Sequence, residues 1–165
     1  MAAAGAPLPN GPTPSRFARR GFLLGAGAAI GAVGLAAGAR WFNIAATVQE
    51  RDLTAPEALA AAQAGEILLV DIRRPDEWAR TGIGQGAVAI DMRRTDFIEV
   101  LLGHVGGRRD VPVALICARG VRSAKMSARL DAAGFTQVLD VPEGMSGSGA
   151  GPGWIKRGLP LVQPN

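Results

Sequence analysis

The sequence predicts a three-layer α/β domain in which helices cover both faces of a parallel sheet. Two short runs carry that reading: Ile67-Leu68-Leu69-Val70 and Pro112-Val113-Ala114-Leu115-Ile116. Each is continuously apolar over the length of a strand, the pattern of strands buried on both faces rather than the alternation of a half-solvated sheet. The third observation is order. Strand-like and helix-like segments alternate along the body, which demands right-handed crossovers around a parallel sheet.

Residues 40–50 read as a linker leading into a first strand, Thr47 to Arg51. Thr54 stands just before Ala55-Pro56 and caps a helix to about Ala64, where Gly65 stops it. The first apolar run ends at Asp71, and a turn with a short helix follows from Pro75 to Arg80. Ala87 to Ile90 reads as a strand and Asp96 to Leu102 as a helix, after which the second apolar run ends directly at Cys117. Ser123 to Ala133 supplies the next helix, Gly134 terminates it, and Gln137-Val138-Leu139 makes a last strand. Glu143 to Gly153 reads as a mobile Gly/Ser-rich loop and Trp154 to Gly158 as a short closing helix. The chain has no internal repeat.

A chain of 165 residues holds one domain with a short appendage. Its 48% hydrophobic content against 19% charged residues is that of a globular protein, although Ala and Gly in the first forty residues inflate the apolar share. The net charge of +4 is unevenly placed: residues 1–39 hold Arg16, Arg19 and Arg20 and no acid. Fifteen of the 18 basic residues therefore remain in 40–165, against all 14 acids. A body so near neutrality presents no electrostatic footprint for nucleic acid. One cysteine excludes an internal disulfide, and with His104 as the single histidine no Cys/His metal site is expected.

Ala18-Arg19-Arg20-Gly21-Phe22-Leu23-Leu24 sets paired arginines ahead of a Gly/Ala-rich apolar stretch ending near Ala39. Residues 1–39 thus resemble a twin-arginine signal peptide, with Ala37-Gly38-Ala39 as the cleavage tripeptide before Arg40. The resemblance implies a bacterial protein, export by the twin-arginine translocase and a periplasmic body. Residues 22–39 would span about 27 Å as a helix, so a retained anchor at the outer face of the inner membrane is the competing reading. Membrane contact is expected only in that case.

Cys117-Ala118-Arg119-Gly120-Val121-Arg122-Ser123 lies between a buried strand and a helix N-terminus, where ligands bind in open α/β sheets. The backbone N–H groups of such a turn, with Gly120 free to take a positive φ, form a nest aimed at an anion. The helix dipole adds partial positive charge, and Arg119 and Arg122 add two full charges. These terms favour thiolate over thiol at Cys117, against the commoner role of a lone cysteine as a small buried hydrophobe. The same cradle suits a persulfide, itself an anion, and an oxyanionic donor such as thiosulfate.

A cysteine after a strand, with Gly120 at its third successor, Arg122 at its fifth and Ser123 next, resembles the rhodanese active-site loop. Leu69-Val70-Asp71-Ile72-Arg73 with Glu77-Trp78 is similar to the family's early signature. Ala133-Gly134-Phe135 with Val138 is similar to its later one, and Trp154 with Gly158-Leu159-Pro160 to its closing segment. The likeness covers 51–165. It implies a five-stranded parallel sheet and transfer of sulfane sulfur from a donor to a thiol or cyanide acceptor. Cys117 would be the nucleophile, Ala118 to Ser123 the persulfide cradle, and a transient cysteine persulfide would take the place of any cofactor.

Two departures stand out. Ala118 occupies a position where many thiosulfate-using members have arginine, with Arg119 offset by one, which leaves the donor open. Thr81-Gly82-Ile83-Gly84-Gln85-Gly86-Ala87 lacks the family's Gly-His-Ile segment, so an altered loop shape is expected there.

Asp71 and Arg73 either support the cysteine loop from a neighbouring strand end or form a solvated pair. His104 is read as an exposed linker residue outside the site, Trp78 and Trp154 as core or cleft-rim residues, and Arg93-Arg94 and Arg108-Arg109 as solvated surface. Three functions compete: a sulfurtransferase, a rhodanese-like carrier or binding module without turnover on small donors, and phosphatase or arsenate reductase chemistry. The six-residue span from Cys117 to Arg122 favours sulfur over a larger phosphoryl group.

Overall fold

The computed structural model describes residues 52–164. The leader and cleavage tripeptide expected in residues 1–39 and the first strand expected at Thr47 to Arg51 lie outside the described residues. No helix among the described residues is long and apolar enough to cross a membrane.

Helix α1 (Ala55–Gln63) starts where Thr54 and Glu57 close a reciprocal capping box. The Glu57 N–H donates to the Thr54 hydroxyl oxygen at 3.4 Å, and the Thr54 N–H donates to the Glu57 carboxylate at 2.8 Å. Strand β1 (Leu68–Asp71) is followed by α2 (Pro75–Thr81), whose Pro75 sits where no helical N–H is needed. Then come β2 (Ile83–Gly84), β3 (Ala87–Ala89) and α3 (Phe97–His104). Strand β4 (Val113–Ile116) leads through the cysteine loop into α4 (Val121–Ala132), and β5 (Val138–Asp140), α5 (Gly153–Lys156) and β6 (Leu161–Val162) complete the order.

The main sheet is parallel in the order β3-β1-β4-β5, with Asp71 beside Ile116 and Leu115 beside Asp140. Among the described residues it has four strands where five were expected. Leu53 donates one ladder-like hydrogen bond to the Asp140 carbonyl at 2.9 Å along the open edge of β5. The Thr54 cap and Pro56 then divert the chain into α1, so pairing at this edge stops after that bond among the described residues. The segment 81–87, expected to differ in shape, carries β2, which pairs antiparallel with β6 in a small separate sheet.

The period-two alternation of β1 and β4 sorts the core into two layers. Val70, Ile72, Val113, Leu115 and Cys117 face Phe97 and Leu101 of α3 and Met126 and Leu130 of α4. Leu69, Ala114 and Ile116 face Ala55 and Ala58 of α1 and Trp154 of α5. The sheet between these layers is the predicted three-layer arrangement.

Two expectations need correction. Helix α4 begins at Val121, two residues before Ser123, because Gly120 at φ 84° makes the whole turn and leaves Arg122 and Ser123 inside the first helical turn. Residues 143–153 form a packed segment rather than an open mobile loop. The Glu143 side chain, 1% exposed, accepts from the N–H groups of Ala55 at 2.7 Å and Gly153 at 2.8 Å and from Arg157 Nε at 2.9 Å. One buried carboxylate satisfied by three donors clamps both ends of the segment to α1 and α5.

Candidate active site

Cys117 follows β4 directly and shares the face of Val113 and Leu115, so its side chain is buried at 1% exposure. The Gly120 N–H donates to Sγ at 3.1 Å, and the Ser123 hydroxyl lies 3.5 Å from the same sulfur and donates to the Gly120 carbonyl at 3.0 Å. Of the several N–H groups that a nest would aim at the sulfur, one, that of Gly120, donates to it, with a serine from the helix's first turn beside it.

The loop's shape depends on close backbone packing behind it. Gly120 (φ 84°) has no room for a Cβ, which would strike the Pro142 carbonyl oxygen. Gly144 (φ 64°) abuts the Ala118 carbonyl in the same way. Met145 N–H donates to the Cys117 carbonyl at 2.8 Å and Ser146 N–H to the Ala118 carbonyl at 2.9 Å, so the turn after β5 is bonded to the start of the cysteine loop.

The six cradle residues divide by direction. Gly120 and Ser123 are buried against the sulfur, and Arg122 is close enough for Cys117 to contribute to raising its pKa after Glu77. Ala118 is half-buried, while Arg119 and Val121 are exposed.

Arg122 is held in a two-pronged ion pair by Glu77 of α2, with both N···O distances 2.7 Å. The Arg122 hydrogen bonds overcome the cost of burial and hold the Glu77 carboxyl down at about 2. A cleft of about 390 Å³ beside the loop is lined by Arg74, Glu77, Met92, Arg93 and Arg122. Three guanidinium groups give it a chemistry suited to oxyanions. Arg93 is tied to Asp91 and Arg94 to Asp96, so the surface reading of these arginines holds while Arg93 also borders the cleft.

Asp71 and Arg73 do not form a solvated pair: they are 0% and 2% exposed. Arg73 binds the Asp71 carboxylate at 2.7 Å and reaches on to the Thr81 hydroxyl at 2.9 Å and the Gly82 carbonyl at 2.7 Å. They brace the end of α2, the helix that carries Glu77. His104 ends α3 and is exposed, and Trp78 and Trp154 are both buried.

Three residues of the site region went unread in the sequence. Glu77 was visible only as part of a signature, Glu143 as part of a loop, and Asp140 not at all. Glu77 and Glu143 each bind a residue distant in sequence, 45 and 88 positions away, and local spacing carries no trace of such pairs.

The fold and the loop together define an α/β domain built to present a cysteine sulfur in an anion nest. The chain belongs to the rhodanese-like domain family, whose model matches residues 54–149. It is 30% identical over 119 residues to thiosulfate sulfurtransferase 16 (chloroplastic) of Arabidopsis thaliana, covering 64% of this chain and 92% of that protein. It is 32% identical over 99 residues to a sulfurtransferase of Allochromatium vinosum, covering 60% and 81% respectively. Among solved structures, a polysulfide-sulfur transferase homodimer of Wolinella succinogenes aligns with TM-score 0.51 at 24% identity, over 79% of this chain and 88% of that one. A likeness at that level speaks for the fold.

Proposed function

We propose that this chain is a rhodanese-type sulfurtransferase that moves sulfane sulfur through a Cys117 persulfide. The observation that carries the reading is Sγ itself, set in a nest of the Gly120 N–H and the Ser123 hydroxyl with the Arg122 guanidinium beside it. The Gly120 N–H and the Arg122 guanidinium favour an anion at that atom. Family membership and the named sulfurtransferase relatives support sulfur transfer in general.

In the first step the Cys117 thiolate attacks the outer sulfur of thiosulfate or of a persulfide. A sulfur–sulfur bond forms to Cys117, the donor's own sulfur–sulfur bond breaks, and sulfite or a thiolate leaves with the electron pair. The new persulfide is anionic at its terminal sulfur and lies in the nest that held the thiolate. In the second step cyanide or an acceptor thiolate attacks that terminal sulfur, and Cys117 leaves as thiolate. The cleft of Arg74, Arg93 and Arg122 receives the oxyanionic donor. On this reading the leader sends the domain to the periplasm, free or anchored to the outer face of the inner membrane.

The test is an intact mass of the reduced full chain after thiosulfate, beside Cys117→Ser, followed by cyanide and an assay for thiocyanate. Gain of one sulfur atom by the wild type alone, discharged catalytically, is the expected result. Loading without turnover would identify a carrier module. Failure to load from thiosulfate or any persulfide donor would sink the proposal.

A further inference from the structure

Cys117 Sγ lies at the N-terminal end of α4, held by the Gly120 N–H at 3.1 Å, and the residue is only 1% exposed. An acceptor thiol must therefore be brought up to the loop, and the surface that runs away from this end is the outer face of α4. Helical periodicity divides that face into two stripes. Arg122, Lys125 and Arg129, at i, i+3 and i+7, form a ridge about 10 Å long. Val121, Ala124, Ala128 and Ala132 form the stripe beside it, and all four are exposed. Val121 is 41% exposed, and the other exposed large hydrophobic side chains of the described residues lie on α5 and β6.

The ridge differs from the other cationic surface in its lack of neutralisation. Arg80 of α2 and Arg93 and Arg94 after β3 each hold a carboxylate within four residues in sequence, and Arg122 holds Glu77. Lys125 and Arg129 are exposed and make no ion pair with any described residue. Asp131 is the one acid of α4, and it falls about half a turn around the helix from Arg129. Like charges four residues apart destabilise the helix that carries them, and carboxylates from outside relieve that repulsion.

We infer that the outer face of α4 docks an acidic protein whose cysteine takes the sulfur from the Cys117 persulfide. The inference rests on the persulfide reading of Cys117 and adds to it the class of acceptor. In the persulfide the terminal sulfur stands about 2 Å beyond Sγ, which brings it toward the incoming thiol. The partner's carboxylates meet Lys125 and Arg129, and its backbone approaches over the alanines, whose small side chains leave room for it. Its thiolate then attacks the terminal sulfur. A sulfur–sulfur bond forms to the partner, the bond to Cys117 breaks, and Cys117 leaves with the electron pair as thiolate.

A membrane fits this face less well. Helices that lie in a lipid surface present large apolar side chains to it, whereas those of α4, Met126 and Leu130, are in the core. A second copy of the chain lacks the complementary charge. Its exposed acids are either held by an arginine or a cap, as Asp76, Asp110 and Glu57 are, or stand singly on separate parts of the chain, as Glu66, Glu99 and Asp131 do.

The experiment compares the full wild-type chain with Lys125→Glu/Arg129→Glu, with near-UV circular dichroism as the check on folding. Two synthetic peptides of equal length carry a central cysteine, one flanked by glutamates and the other by lysines. Binding is read by fluorescence anisotropy of labelled peptides with the cysteine alkylated. Discharge of the Cys117 persulfide by each free peptide is read by intact mass, with discharge by cyanide as the control. The wild type should bind the glutamate peptide and be discharged by it about tenfold faster than by the lysine peptide at low salt. That advantage should fade as ionic strength rises. The charge-reversed chain should lose or invert the preference while cyanide, which needs no docking surface, discharges it at the wild-type rate. Lys125→Ala/Arg129→Ala loses the preference without inverting it and serves if the reversed chain fails to fold.

Equal binding and discharge with the two peptides would overturn the inference, as would a preference that survives charge reversal. So would binding to vesicles of phosphatidylglycerol and phosphatidylcholine with no preference between the peptides, which would assign the ridge to a membrane surface. If the glutamate peptide binds as expected but no donor loads Cys117, the sulfurtransferase reading falls and the surface for an acidic partner stands. If cyanide discharges a loaded chain and the peptides do not differ, the docking surface falls and the sulfurtransferase reading stands.

Discussion

Glu77 and Asp140 are both carboxylates near the cysteine loop, and they respond to pH with opposite signs. The Arg122 hydrogen bonds hold Glu77 at about 2, below its ordinary 4.5, so its stabilisation is present above pH 4.5 and is lost as pH falls toward 2. Burial holds Asp140 at about 6, above its ordinary 3.8, so its favourable state is present below pH 3.8 and is lost as pH rises through 6. Glu77→Gln should therefore cost about 2 kcal/mol at neutral pH, the full linkage being discounted for the partial exposure of Arg122. The difference from wild type should shrink through pH 4.5 and vanish near pH 2, as read by urea unfolding across that range. A constant difference at all pH values would mean that the pair's charge contributes nothing and only its shape matters. Neither carboxylate could be weighed from sequence, because a carboxylate's environment is set by partners that only folding brings near. Cys117 could be, since its strand, its glycine and its arginine are all within five residues of it.

At the scale of elements, the cysteine loop is held by a segment that the sequence presents as empty. Composition reads residues 143–153 as a loop, since Gly has no side chain and Ser only a small polar one with which to pack. Packing here is done by backbone: Met145 and Ser146 donate to the Cys117 and Ala118 carbonyls, and Gly144 lies against the Ala118 carbonyl because it has no Cβ. Gly144→Ala would add a Cβ in close contact with that carbonyl at a backbone angle of φ 64°. The expected cost is about 1–3 kcal/mol of stability, with a larger loss in the rate of Cys117 alkylation because the loop itself must move. A variant that melts lower yet alkylates at the wild-type rate would show that the segment supports the fold without shaping the loop. Helices and strands were more legible. The Thr54 cap, Pro75 and the two apolar runs all act through neighbours in sequence, and their elements appear within one or two residues of expectation. The pairing of β2 with β6 was not legible, since two-residue strands joined across 77 positions carry no periodicity.

For the whole molecule, the fold followed from the sequence because two strands buried on both faces leave no other arrangement for the helices. The strand count did not: five strands were carried over by resemblance from a family, whereas among the described residues the sheet has four and the edge of β5 receives a single bond from Leu53. Charge divides the chain as well. All 14 acids lie in residues 40–165, while residues 1–39 carry three arginines and no acid, two of them adjacent at Arg19-Arg20 before an apolar run. A translocase that reads paired guanidinium groups depends on their planar geometry, which lysine's point charge does not reproduce. Replacing both residues with lysine keeps the charge and the hydropathy and removes only that geometry. In a bacterium with a working twin-arginine pathway, the variant should therefore accumulate as full-length protein in the cytoplasm, while the wild type reaches the periplasmic or membrane fraction. Cell fractionation and immunoblotting separate the outcomes. Equal export of both would assign residues 1–39 to the general secretory route, or to a retained membrane anchor if no shorter species appears.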